Sequence, residues 1–285
     1  MALFYRILNY KFMHILCFDS FGRKYFVIFT FETLLIMNIL KQIPNIITSL
    51  NILCGCVAIL FAVSGDLITA AFFVFLGIFF DFFDGLAARL LKAQSEVGLQ
   101  LDSLADVITS GLAPGIVMYQ LLNISYFGHM QTLTETFSSD GWNIGVKNYL
   151  PLIGLMVVIA SAYRLAKFNV DTRQTSGFIG LPTPANTLLI LSLPLILEFQ
   201  YSEFAESVIL NSWFLIGITL LSSILLNAEI PLFALKFKTW DFKSNAVRYV
   251  FLILCVVLLV LLKFLAIPFI ILLYILLSLF WKVEK

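Results

Sequence analysis

From residue 46 onward, long apolar runs alternate with short polar turns, and that alternation leaves few folds open. We read eight spans, at about 46–64, 67–88, 100–122, 149–168, 184–199, 207–227, 246–264 and 266–282. Crossing the roughly 30 Å hydrocarbon layer takes about 20 apolar residues in a helix. Inside that layer each backbone N–H and C=O needs an internal partner, which a helix supplies within its own run. Overall usage agrees, at 61% hydrophobic and 12% charged, against about 45–50% and about 25% in soluble domains. The expected fold is an all-α polytopic membrane protein, a bundle of about eight transmembrane helices forming one domain over residues 37–285. Ser64-Gly65-Asp66 and Ala266-Ile267-Pro268 read as tight hairpin turns. Pro182 and Pro184 suit the start of the fifth span, and residues 123–148 form the longest polar loop.

Lys and Arg orient the bundle. Twelve fall on one side, including Lys41, Arg89, Lys92, Arg164, Lys167 and Arg173 and continuing through Lys236, Lys238, Lys243, Arg248, Lys282 and Lys285, while Lys147 and Lys263 fall on the other. The richer side is expected to face the cytoplasm, in the cell membrane. Residues 1–36 differ from the rest, mixing Arg6, Lys11, His14, Asp19, Arg23 and Lys24 with aromatics. We read them either as an interfacial amphipathic segment or as an extension preceding a start at Met37. Cys17, Cys54, Cys56 and Cys255 are scattered through apolar sequence and read as buried thiols. A net charge of +1 points to no charged partner, and no nucleic acid is expected to bind.

Four carboxylates break the apolar pattern. Asp81 and Asp84 are three apart and Asp102 and Asp106 four apart, so on helices each pair shares a face. One Asp at the centre of a membrane helix costs about 2.5–3.5 kcal/mol on insertion scales. Such a cluster calls for neutralisation, either by a polar network between helices or by cations. A short turn between the second and third spans lets the two pairs meet at one depth, where oxygen ligands suit Mg²⁺ or Mn²⁺. Two such ions could clamp a phosphoryl group. Gly85 would let a ligand approach the backbone, Ala88 and Gly98 keep the helix faces low, and Arg89 can fork onto phosphate oxygens. Together these residues read as a diphosphate site facing the cytoplasm.

The stretch Asp81-Phe-Phe-Asp84-Gly85-Leu-Ala-Ala88-Arg89, then Gly98, Asp102 and Asp106, resembles the signature of the CDP-alcohol phosphatidyltransferase family at every fixed position. The resemblance implies a membrane-embedded helical bundle, often a homodimer, with two divalent cations and a CDP-linked lipid donor. It implies that Asp81, Asp84 and Asp102 are metal ligands, and that Asp106 both binds metal and deprotonates the acceptor hydroxyl. Gly85, Arg89 and Gly98, with Ala88 of the same motif, would line the CDP pocket. Pro44-Asn45-Ile46-Ile47-Thr48 with Asn51 is similar to the family's Pro-Asn-x-x-Thr segment, which puts Thr48 and Asn51 beside the nucleotide; helix packing is the other reading of both.

Two further stretches, Arg164-Leu-Ala-Lys167-Phe168-Asn169 and Phe178-Ile-Gly180-Leu-Pro182-Thr183-Pro184-Ala185, look like elements of the membrane-integral phosphatidylserine synthases within that family. Lys167 stands where those elements carry a second Arg, and Lys lacks the planar fork. The implied reaction transfers the phosphatidyl group from CDP-diacylglycerol to L-serine. Arg164 and Lys167 are then candidates for holding the serine carboxylate or the phosphates, or else are only the positive-inside signal. The rivals are glycerol 3-phosphate or inositol phosphate as acceptor, a membrane prenyltransferase, and a divalent-cation transporter. A prenyltransferase would show a second Asp-rich motif, and a transporter would carry polar residues through the spans.

Overall fold

A computed structural model of the chain describes residues 12–18, 24–132, 134, 146–171, 177–233 and 241–280. The readings that involved Arg6, Lys11, Asp19, Arg23, Arg173, Lys236, Lys238, Lys282, Lys285 and part of the 123–148 loop lie outside those residues.

An antiparallel hairpin of β1 (Phe12–Phe18) and β2 (Lys24–Thr30) leads into α1 (Phe31–Val63). The sequence reading began the first span at about residue 46, but α1 starts at Phe31 and carries Pro44 inside it. The chain then turns at Gly65, whose φ is +91°, a region open to glycine at little steric cost. Asp66 caps α2 (Leu67–Leu90), its Oδ1 accepting from the Thr69 amide at 2.9 Å. The Thr69 side chain, with the Thr69 amide, holds the Asp66 carboxyl below the usual range. At the far end of α2, Lys92 takes a left-handed φ of 49° and the Ala93 amide reaches back to the Ala88 carbonyl at 2.9 Å, an αL helix stop. Ser95 then accepts from the Gly98 amide at 3.0 Å and starts α3 (Glu96–Asp106).

Directly after Asp106 the helix loosens into a π turn, Val107–Leu112, before α4 (Ala113–Phe127). A 3₁₀ segment, Val146–Leu155, leads into α5 (Met156–Val170), and β3 (Gly177–Ile179) precedes α6 (Thr183–Phe199). The expected sixth span at 207–227 is two helices, α7 (Glu203–Ile209) and α8 (Ser212–Asn227), bent by 60°. The Asn211 side chain accepts from the Trp213 and Phe214 amides at 3.0 and 3.2 Å and restarts the helix there. β4 (Pro231–Phe233) pairs antiparallel with β3. The last described elements are α9 (Phe242–Leu262), a 3₁₀ turn at Lys263–Leu265, and α10 (Ala266–Phe280).

The chain is a mainly helical, multi-pass membrane protein. Among the described residues, five helical stretches are long and apolar enough to cross, or six if the bent α7–α8 pair counts as one. The expected eight exceeds that number for two reasons. α6 has only 17 residues, and Asn245–Leu279 is a single helical run by length. Within that run the Phe251 and Tyr274 rings lie 5.7 Å apart. A straight helix would separate them by roughly 34 Å, so the chain folds back at the 3₁₀ turn.

α1 packs along α2, α3, the π turn and α4. Small residues permit this closeness: a Cβ on Gly77 would meet Thr109 Cγ2 at 2.6 Å, and one on Gly154 would meet the Tyr119 backbone nitrogen at 2.7 Å. The core runs through Ala58, Ala62, Ala70, Ala71, Val74, Val117, Met118, Leu121, Leu122 and Ile190. Small-residue contact of this kind drives association where lipid is as apolar as the helix surface.

Candidate active site

α1 carries Asn45, Thr48 and Asn51 along the face against which α2 and α3 pack. α2 brings Asp81 and Asp84 on its last turns, and α3 brings Asp102 and Asp106 on its own. Asp81, Asp84 and Asp102 each offer a carboxylate oxygen within 4.8 Å of the others. The expected set of four therefore closes as a group of three among the described residues. Asp106, one helical turn beyond Asp102, stands outside it, with its carboxyl adjoining that of Asp81 and within electrostatic range of Asp102 and Asp84.

This donor set fits a hard cation. It is all oxygen, it converges from two helices, and the buried Asp84 Oδ2 has no hydrogen-bond partner. A buried carboxylate oxygen without a partner is costly in a dry environment, and a divalent ion at that point removes the cost. The Thr48 hydroxyl and the backbone at Gly85 lie on the Asp84 carboxyl.

The remaining candidates divide. Gly85 faces open space, since a Cβ there would meet only the Arg89 guanidinium, at 4.0 Å. Arg89 Nε donates to the Gly85 carbonyl at 2.9 Å, which leans the guanidinium over that opening. Ala88 lies beside Arg89 on the half-buried end of α2. Gly98 has a packing role in view, because a Cβ on it would meet Asn45 Oδ1 at 3.1 Å. Thr48 is buried and donates to the Pro44 carbonyl at 3.0 Å. Asn51 is fully buried with neither side-chain polar atom partnered, while its carbonyl accepts from Thr109 Oγ1 at 3.2 Å.

Arg164 and Lys167, three apart on α5, go different ways. Arg164 is 7% exposed, lies within electrostatic range of Asp106 and sits 5.9 Å over the Phe168 ring, with its Nε unpartnered. Lys167 is half-buried, with its side chain 32% exposed, and pairs with the exposed Glu229 at 3.2 Å. Surface pairs of this kind contribute about 0–1 kcal/mol. Lys167→Ala is accordingly expected to leave turnover within about threefold of native, measured by product release.

The structure adds polar residues that the sequence reading did not single out. Ser110, Ser161 and Asn186 are buried, each with side-chain polar atoms that have no partner. Ser110 lies in the π turn, Ser161 packs against Gly111, and Thr187 of α6 donates to the Ser110 carbonyl at 2.9 Å. π turns recur at functional sites because the extra residue re-aims the following side chains. Asn186 follows Thr183-Pro184-Ala185 directly, and that adjacency was the signal available in the sequence.

The family model of CDP-alcohol phosphatidyltransferase matches residues 41–225. The chain belongs to the CDP-alcohol phosphatidyltransferase family. The matched region carries all four Asp residues together with α5 and α6, and the family uses divalent cations, in line with the three-carboxylate group. Among curated relatives, a Bacillus subtilis protein named CDP-diacylglycerol–serine O-phosphatidyltransferase is 33% identical over 165 residues, covering 57% of this chain and 78% of its own. A Helicobacter pylori protein of the same name is 31% identical over 193 residues, 66% of this chain and 73% of its own. A Methanothermobacter thermautotrophicus protein named archaetidylserine synthase is 30% identical over 185 residues, 64% and 68% respectively.

Proposed function

We propose that this chain transfers the phosphatidyl group of CDP-diacylglycerol to the hydroxyl of L-serine, giving phosphatidylserine and CMP. The observation that carries the reading is the three-carboxylate group on α2 and α3 with Asp106 one turn away and the buried Arg164 facing it. The names of the relatives support the donor and the acceptor.

In this reading Asp81, Asp84 and Asp102, with Asp106 at the margin, hold two divalent cations, Mg²⁺ or Mn²⁺. When bound, these ions neutralise the diphosphate and polarise it for attack. Thr48, Asn51, Gly85, Ala88, Arg89 and Gly98 bind the CDP moiety, with the Gly85 opening admitting the phosphates and Arg89 gripping them from its edge. Asp106 accepts the proton of the serine hydroxyl. The serine oxygen bonds to the phosphorus nearer the diacylglycerol, the bond from that phosphorus to the bridging oxygen breaks, and CMP leaves. Arg164 holds the serine carboxylate, whose two oxygens a planar guanidinium can grip together where an ammonium cannot. Charge stabilisation and positioning supply most of the rate in phosphoryl transfer.

The chain crosses the membrane eight times, counting α6 and both arms of the α9–α10 hairpin. Residues 37–285 form the catalytic domain, with the site on the cytoplasmic side of the cell membrane, and the protein works as a homodimer. The excess of Lys and Arg at the carboxylate end supports that orientation.

The test offers purified protein CDP-diacylglycerol and Mn²⁺ or Mg²⁺, with serine, glycerol 3-phosphate and inositol phosphate in parallel. Metal-dependent CMP release is expected with serine alone. Release with another acceptor would overturn the assignment of serine, and no release with any would overturn the reaction. Arg164→Ala is expected to raise the serine KM about tenfold or more, as for loss of a charge-assisted hydrogen-bonded pair, with CDP-lipid binding unchanged. An unchanged KM would remove Arg164 from the acceptor site.

A further inference from the structure

A cavity of about 540 Å³ lies between α6, α9 and α10, within the roughly 300–1,000 Å³ of ligand pockets. Its walls include Ala185 and Leu188 of α6, Phe251, Cys255 and Leu259 of α9, and Tyr274 of α10. The α9 wall residues recur every fourth position, so the cavity follows that helix for two turns, about 12 Å. Tyr274 marks its polar end, where its hydroxyl donates to the Phe233 carbonyl at 2.8 Å and its ring lies within electrostatic range of Arg164. Arg164 in turn faces Asp106. The Tyr274 end of the cavity is therefore the end nearer Arg164 and the carboxylates, and from it the cavity runs along α9 between apolar side chains. Along α9 it opens sideways, from Phe251 at 5% exposure to Leu259 at 46%. A void lined almost wholly by apolar side chains, open on one flank and linked at its Tyr274 end through Arg164 to the proposed phosphoryl-transfer site, matches a hydrocarbon chain whose headgroup sits at that site.

We infer that this cavity holds one acyl chain of the CDP-linked lipid donor and makes the enzyme sensitive to that chain's length. The inference rests on the reading of the donor given above. α9 and α10 lie beyond the matched residues 41–225, so these two helices add the chain-length discrimination to the shared catalytic core. The charged end fixes the diphosphate, the cavity fixes the tail, and together they set the rotation of the phosphorus toward the acceptor.

Cys255→Trp fills the cavity from its middle, and Val256→Trp adds the same bulk on the neighbouring lipid-facing position, which is 61% exposed. The reading is the ratio of kcat/KM for dioleoyl over dioctanoyl CDP-glycerol lipid, taken on one sample so that loss of folded protein cancels. In Cys255→Trp the ratio is expected to fall about tenfold, the effect of denying burial to two or so methylenes, and in Val256→Trp to stay at the native value. An unchanged ratio in Cys255→Trp, or equal falls in both variants, overturns the inference. Occupancy is read separately in a protein with Cys17, Cys54 and Cys56 replaced by Ser, where Cys255 is alkylated by a maleimide. Protection by the dioleoyl donor and not by dioleoylphosphatidylcholine supports the inference even if turnover is absent, in which case the reaction assignment alone has failed. Equal protection by both lipids assigns the cavity to bulk bilayer lipid and overturns it.

Discussion

Asp106→Asn is expected to reduce serine-dependent CMP release by about 10²–10⁴-fold, the usual span for removing a general base. The substitution keeps the side-chain volume, so packing at the junction of α3 and the π turn is retained. What it removes is the basic carboxylate that, in the proposed reaction, accepts the serine proton, together with the negative charge within electrostatic range of Arg164. Asp106 lies outside the group of Asp81, Asp84 and Asp102 but adjoins Asp81, so its share in metal binding can be measured apart from its share in turnover. Mn²⁺ binding followed by electron paramagnetic resonance is expected to weaken much less in Asp106→Asn than in Asp84→Asn, with turnover lost in both. Turnover within tenfold of native in Asp106→Asn would remove it as the base, and equal loss of Mn²⁺ in both variants would make it a ligand like the others.

The second large effect is structural. Gly180 joins β3 to α6 with φ of +77°, and a Cβ there would stand 2.5 Å from the Leu226 carbonyl oxygen and 3.0 Å from that of Ala228. Both neighbours are backbone and cannot swing aside. The Gly180 and Leu181 amides donate to the Ile230 and Leu225 carbonyls at 3.0 and 2.9 Å, so the strap cannot lift without breaking them. A left-handed alanine costs about 1–2 kcal/mol and overpacking a further 1–3 kcal/mol. Gly180→Ala should therefore destabilise the protein by about 2–5 kcal/mol, seen as a lowered Tm in detergent. Gly217→Ala, where an added Cβ meets nothing within 4 Å, is the control and is expected to hold or raise Tm. A Gly180→Ala protein with native Tm would mean that the β3–β4 strap carries no part of the fold's stability.

The legibility of this chain differed from element to element. Helix bounds at 67–88 and 184–199 came within a residue or two of α2 and α6 because hydropathy and punctuation by Gly65, Asp66, Pro182 and Pro184 are local signals. The break at Asn211 was missed because Asn211 and Ser212 alone interrupt the apolar stretch from Val208 to Leu215, and the cap geometry that turns them into a break is not visible in composition. The π turn after Asp106 has no compositional mark in Val107–Leu112. Arg164 and Lys167 looked alike on paper, two cations on one helix face. A shift of three residues along α5 takes one into the bundle beside Asp106 and the other to the surface beside Glu229.

By itself the amino-acid sequence determined that the chain is a membrane-spanning helical bundle, that its four Asp residues sit at the ends of two successive helices, and which family those residues belong to. Hydropathy, helical period and motif spacing all act over a few turns, so they survive without knowledge of the partner elements. Only the tertiary structure decided which carboxylates meet, which cation faces them, and that α6, α9 and α10 leave a cavity beside them. Those outcomes join residues far apart in the chain, and they depend on how closely helices approach. In lipid that approach is set by the fit of small and large side chains across each interface, a property of surfaces rather than of any one segment.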